Sequence, residues 1–362
     1  MPYLRALLVC LVLATMVAAG CVSGNRDTNV GGSRKKKGPN EPVSIGFSMD
    51  TLKEERWQRD KELVEKRARE IGAQLNIQVA NSSDSEQIKQ SENMLTQGVD
   101  VLIVAPHNGE VAASIVEAAH RQGVPVISYD RLIKNSDVDL YVSHQVVKIG
   151  EMQARYLLEH VNKKPANFVI VGGSPTDNNA ILLHQGQMNV LKPAIDRGDV
   201  KLITDQYAKE WQASAALNIV ENALTLAKNQ IDAVVCSNDG TARGAVQALE
   251  GQGLAGKVLV SGQDADLASL KLIVEGKQTM TVYKPIQPLA YAAVDAAVRL
   301  ARGEPLDARD TIDNGFKQVP AILQEPIAVD RNNLLSTVVK DGYHSLEGIC
   351  SGIPPEKCPK PE

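Results

Sequence analysis

Aromatic residues are scarce in this 362-residue sequence: three Phe, eight Tyr and two Trp make up 4 % of it. A core so short of rings has to be assembled from Val, Ile, Leu and Ala, so a tryptophan lying among polar residues needs a reason. An excess of positive charge is also missing. The net charge of -4 and a pI near 5.9 argue against nucleic acid or an anionic membrane as the main partner. The apolar stretch at residues 6–18 falls short of a comfortable membrane span. The six histidines form neither H-E-x-x-H nor a paired Cys/His arrangement, so no metal is expected. There is no G-x-S-x-G elbow, no Walker phosphate loop and no G-x-G-x-x-G opening a helix after the first strand. No cofactor is expected, and catalysis is the weaker reading.

What is present begins with an export signal over residues 1–21: Arg5 in a short basic start, the apolar run, then small residues before Cys21. Val17-Ala18-Ala19-Gly20-Cys21 resembles a bacterial lipobox, which makes Cys21 the expected lipidation site. Residues 22–41, with Gly, Ser, Asn and the basic run Arg34-Lys35-Lys36-Lys37, read as a flexible tether. Of the other cysteines, Cys10 leaves with the signal and Cys236 lies in an apolar strand as a small hydrophobe. Cys350 and Cys358 stand eight apart in a Pro- and Gly-containing tail, residues 345–362. In an exported protein they are expected to pair, tying down the tail and doing little else.

From Val43 onward strands and helices alternate, the pattern of parallel sheets with crossover helices. Residues 257–266, K-V-L-V-S-G-Q-D-A-D, read as a buried strand ending in carboxylates, and P-V-I-S-Y-D-R at 125–131 does the same. Similar apolar runs precede both, so one half-architecture is used twice. The expected fold is α/β, two doubly wound parallel-sheet lobes joined by a three-segment hinge. Residues 43–143 with 284–321 form the N-terminal lobe, and 144–283 with 322–344 the C-terminal lobe.

Ligands of open parallel sheets bind at the carboxyl edge of the strands. Polar groups at strand ends, or in the turns and helix starts after them, are therefore the candidates: Arg56, Trp57, Asp130, Arg131, Asp177, Asn179, Trp211, Asn238, Asp264 and Lys284. Three cations face three anions. That balance suits a neutral, hydroxyl-rich molecule better than an anionic one. Each tryptophan sits beside charged residues near a helix start, where an indole can cover the apolar face of a pyranose. Taken singly, Asp177 and Asn179 read equally well as helix caps, Trp57 as core and Arg131 as half of a surface ion pair. Asp130 and Asp264 as a glycosidase acid and base are disfavoured by cationic neighbours that would keep both ionised.

With these residues in view, the sequence resembles the periplasmic sugar-binding proteins of ABC importers, of the ribose-binding type. The resemblance is carried by E-R-W-Q-R-D at 55–60, S-Y-D-R at 128–131, G-G-S-P-T-D-N-N-A at 172–180, S-N-D at 237–239, S-G-Q-D-A-D-L at 261–267 and T-M-T-V-Y-K-P at 279–285. It implies a fold of periplasmic-binding-protein type I. It also implies a monomer that closes on a monosaccharide, D-xylose favoured, and presents it to a membrane permease. The eight polar candidates would then hydrogen-bond the sugar and the two tryptophans stack on it. Another pentose or hexose as ligand, or presentation to a chemoreceptor, are the alternatives. The lipobox, the tether and the two-cysteine tail depart from a freely soluble periplasmic form.

Overall fold

The computed structural model describes residues 35–360. The export signal and Cys21 lie outside the described residues. The first lobe opens with strand β1 (Ser44–Met49), helix α1 (Glu55–Glu70), β2 (Gln74–Val79), α2 (Asp84–Thr96), β3 (Val101–Ala105), α3 (Ala113–Arg121), β4 (Val126–Tyr129) and β5 (Leu140–His144). The second follows with α4 (Val146–His160), β6 (Ala166–Gly172), α5 (Asn178–Asp196), β7 (Val200–Tyr207), α6 (Ala213–Leu226), β8 (Ala233–Cys236), α7 (Asp239–Gly251), β9 (Leu259–Val260), α8 (Leu267–Glu275) and β10 (Thr281–Tyr283). Helix α9 (Ile286–Arg302), β11 (Asp310–Asp313) and β12 (Gln318–Gln324) return to the first lobe, and β13 (Ile327–Val329) and α10 (Leu346–Cys350) to the second.

The first sheet runs β11-β12-β5-β4-β3-β1-β2 and the second β7-β6-β8-β9. β3 reads V-L-I-V-A and is buried throughout, as expected of a central parallel strand covered on both faces. α9, rich in alanine, lays Leu289, Ala293, Val294 and Ala297 against the same core as Phe47, Val64 and Ile103. In the second lobe α4 and α5 approach so closely that a Cβ on Gly186 would lie 2.0 Å from the Val147 carbonyl oxygen.

Three details differ from the sequence expectation. The sheets are mostly rather than wholly parallel, since β11 pairs antiparallel with β12 and β10 antiparallel with β13. β12 stays paired with β5 as far as Gln324, three residues beyond the expected lobe boundary, because its C-terminal half is still hydrogen-bonded along Tyr141 to His144. The end of the expected tether is docked: Lys37 donates its backbone N–H to the Ala301 carbonyl at 2.9 Å and its ammonium lies 3.2 Å from Asp100.

The tail does more than hang on a disulfide. Cys350 and Cys358 are joined, with Cα atoms 5.9 Å apart. The residues before and within this loop, Leu334, Val338, Tyr343, Ile349 and Ile353, form a core with Ala265, Leu270, Ile273 and Tyr283. Cys236 is buried in β8, and burial pushes its thiol up.

Candidate functional site

Each candidate side chain leaves the carboxyl end of a strand or the turn or helix start that follows it. Arg56 and Trp57 open α1 after β1; both are 3 % exposed. The Arg56 fork grips Asp60 one turn along, Nε and Nη2 each donating at 3.0 Å, and its Nη1 donates to Asp130 at 2.5 Å. Tyr129 also donates to Asp60, so the acid that orients Arg56 is itself pinned. The guanidinium carbon of Arg56 lies 4.2 Å from the centroid of Trp57, and that of Arg131 5.1 Å. One indole is thereby held by two cations.

Asp130 and Arg131 follow β4. Asp130 takes a left-handed backbone conformation, φ 59°. Its carbonyl accepts from Tyr141 at 2.8 Å and Ser143 at 2.7 Å, while its carboxylate receives Arg56, Asn179 at 3.0 Å and the Lys284 ammonium at 3.6 Å. Burial opposes its charge, but Arg56 and then Lys284 hold the carboxyl well below the usual range. Arg131 donates to Asp50 at 2.6 Å and pairs with Asp177 of the second lobe at 2.8 Å. Burial works against that charge too, and Asp177, Asp50 and Glu54 overturn it, so the guanidinium keeps its proton more firmly than usual.

From the second lobe, Asp177 caps α5 by accepting the Asn179 N–H at 2.9 Å and also receives the Trp211 indole N–H at 3.2 Å. Burial pushes its carboxyl up despite Arg131. Asn238 caps α7 through a reciprocal pairing with Thr241. Asp177 and Asn238 thus each cap a helix and also line the cavity. Trp211 follows β7 on a turn in which Glu210 and Trp211 both have positive φ, 51° and 57°. Its ring rests on Gly173, where a Cβ would sit 2.1 Å from the indole, so only glycine admits it. Asp264, after β9, carries φ 100°. Lys284, after β10, lies 3.0 Å from Asp264, bridging the acids of the two lobes.

All ten residues expected from the sequence line one cavity between the two sheets' carboxyl edges. Glu54 and Gln263 line it as well, and sequence reasoning missed both. Glu54 raises the count of lining anions above that of cations, so the expected three-against-three balance is corrected by one acid. The only sign of it was the Glu54-Glu55 doublet before Arg56, which reads equally well as a helix start. Among the described residues no group of three or more His, Cys, Asp or Glu is placed to hold a metal ion, and no helix is long and apolar enough to cross a membrane.

The chain is 51 % identical over 307 residues to the D-xylose-binding periplasmic protein of Haemophilus influenzae, covering 85 % of this chain and 92 % of the relative. It is 49 % identical over 302 residues to the D-xylose-binding periplasmic protein of Escherichia coli, covering 83 % and 91 %. Among solved structures, a carbohydrate transporter solute-binding protein of Chloroflexus aurantiacus in complex with D-glucose superposes with a TM-score of 0.81 at 32 % identity, covering 85 % of this chain and 98 % of that one. These relatives are binding proteins and not enzymes. The family model for the periplasmic binding protein domain matches residues 45–305, and the chain belongs to that family.

Proposed function

We propose that this protein binds a single monosaccharide, D-xylose, between its lobes and delivers it to an ABC permease. The observation that carries the proposal is the cavity itself: acids, bases and two indoles drawn from both lobes, with Asp130, Asp177 and Asp264 each paired with a neighbouring cation. A neutral sugar adds no charge to that balance. Its hydroxyls can donate to Asp130, Asp177 and Asp264 and accept from Arg56, Arg131, Asn179, Asn238 and Lys284, while Trp57 and Trp211 cover its C–H faces. The relatives named for D-xylose support the choice of sugar.

The lobes rock about the three connections near residues 144–146, 284–286 and 324–327, and contacts made from both sides favour the closed form. A micromolar site needs about 8 kcal/mol net. Charge-assisted hydrogen bonds of about 1.5–3 kcal/mol each supply it after desolvation and ordering. A sugar lacking one hydroxyl, or presenting its epimer, would strand a buried Asp or Arg, which is the basis of selectivity. We further propose that the protein acts as a monomer, held at the cell envelope through a lipid on Cys21.

Calorimetric titration of the protein lacking residues 1–21 with D-xylose, D-ribose, D-glucose and L-arabinose tests this reading. D-xylose should bind most tightly and alter tryptophan emission. No heat with any of the four would refute sugar binding, and a response to D-glucose without D-xylose would refute the choice of sugar alone.

A further inference from the structure

Beside the sugar cavity lies a second, smaller one, reached by Asp50, Ser82, His107 and Ser174. Three side chains line both cavities and so form the wall between them: Glu54, Arg131 and Trp211. Two of the three are committed elsewhere. Arg131 is tied to Asp50, Asp177 and the Pro106 carbonyl. Trp211 is tied to Asp177 and seated on Gly173.

Glu54 differs. It occupies the position just before α1, and its carboxylate makes no capping bond to the helix. Both carboxylate oxygens are buried and have no hydrogen-bond partner among the described residues. The Lys53 ammonium ion-pairs with Oε1 at 3.2 Å while donating to the Glu210 carbonyl across the cleft, so Oε2 is the oxygen left wholly without a partner among the described residues. Oε2 and the remaining lone pairs of Oε1 are left unused. Buried acceptors left unused are costly, so their place beside a site built for hydroxyls points to a ligand.

We infer that Glu54 is a further sugar-binding residue and determines specificity. Its carboxylate accepts from hydroxyls of the bound sugar, and its side chain closes the passage between the two cavities. The sugar cavity is thereby limited to a ring without a bulky substituent on that side. This inference rests on the monosaccharide reading above and deepens it. Glu54→Gln keeps the wall and removes the charge. Glu54→Ala removes the wall and lets the site extend into the second cavity, so a sugar one hydroxymethyl group larger gains room.

The test is calorimetry on wild type, Glu54→Gln and Glu54→Ala with D-xylose and D-glucose, after thermal melts without sugar show that both variants fold. Binding of D-xylose by the wild type tests the functional reading separately. For Glu54, the expected results are an at least fivefold loss of D-xylose affinity in Glu54→Gln and an at least fivefold shift of the D-glucose to D-xylose affinity ratio toward D-glucose in Glu54→Ala. A smaller loss in the first variant overturns the contact, and a smaller shift in the second overturns the wall.

Discussion

Lys284 offers the sharpest test of how the cleft is held together. Its ammonium, 5 % exposed, lies 3.0 Å from Asp264 and 3.6 Å from Asp130, one acid from each lobe. Lys284→Met keeps most of the side-chain volume and removes the charge. Asp130 would retain Arg56 at 2.5 Å and Asn179 at 3.0 Å, but Asp264 would lose the only cation paired with it among the described residues. Removing one partner of a buried pair strands the other, at about 3–5 kcal/mol. Lys284→Met should therefore lose about that much stability in urea unfolding without sugar, and D-xylose affinity should fall by ~100-fold, about 2.7 kcal/mol. If the loss comes from a stranded Asp264, neutralising that acid too should recover most of it. Lys284→Met/Asp264→Asn should then be less than about 2 kcal/mol below wild type, a coupling far outside the range of independent sites. Additive losses within about 0.5 kcal/mol would refute the argument, because they would mean that the ammonium does not neutralise Asp264.

Three other substitutions probe different parts of the construction. Gly173→Ala puts a Cβ 2.1 Å from the Trp211 ring; overpacking of about 1–3 kcal/mol, relieved by displacing the indole, should lower D-xylose affinity tenfold or more while the unfolding midpoint moves little. Burial, and then Asp264, push the Asp266 carboxyl up to about 6. The folded state thus holds a proton that the unfolded chain has released, so the stability this group contributes is present at low pH and lost as pH rises from about 4 to about 6. Asp266→Asn should abolish that fall and gain up to about 3 kcal/mol at pH 7 relative to pH 4, read by urea unfolding at the two pH values. Cys350→Ser with Cys358→Ser should cost about 2.5 kcal/mol by loop entropy. Because the loop lies over the core beneath Asp264, the loss should also appear as faster hydrogen exchange at residues 264–267.

The candidate residues were legible because a parallel sheet delivers polar groups at one edge, and the runs ending at Asp130 and Asp264 advertise such strands. What was not legible shares one property: it depends on partners far away in sequence. Asp60 reads as a surface acid on α1 until Tyr129, 69 residues on, is seen donating to it. Asp50 reads as a turn residue until Arg131 arrives from 81 residues away. Glu54 reads as part of an acidic helix start, and only its place on the cavity wall beside Arg131 and Trp211 sets it apart. The C-terminal core escaped because Leu334, Val338, Tyr343, Ile349 and Ile353 follow no single helical or strand period. The antiparallel pairing of β10 with β13 was hidden because it joins two three-residue segments far apart in sequence.

Strain at the strand ends links the fold to the binding reading. Asp130, Glu210, Trp211 and Asp264 all have left-handed backbones without being glycine, and all lie at the two adjoining cavities. Each such residue costs on the order of 1 kcal/mol and persists only where its surroundings hold it. For Asp130 the hold comes from within its own lobe, through Tyr141, Ser143 and the Val142 carbonyl that receives its N–H at 2.8 Å. For Asp264 it comes from β10, whose Val282 carbonyl receives its N–H at 2.8 Å, and from Tyr343, whose hydroxyl donates to its carbonyl at 3.3 Å. Asn179 of the second lobe adds a donor to the Asp130 carbonyl at 3.2 Å, but the other contacts that hold these two turns come from within one lobe. Closing the lobes then needs a rigid rotation and no reshaping of the loops, so little of the sugar's binding energy is diverted into ordering them.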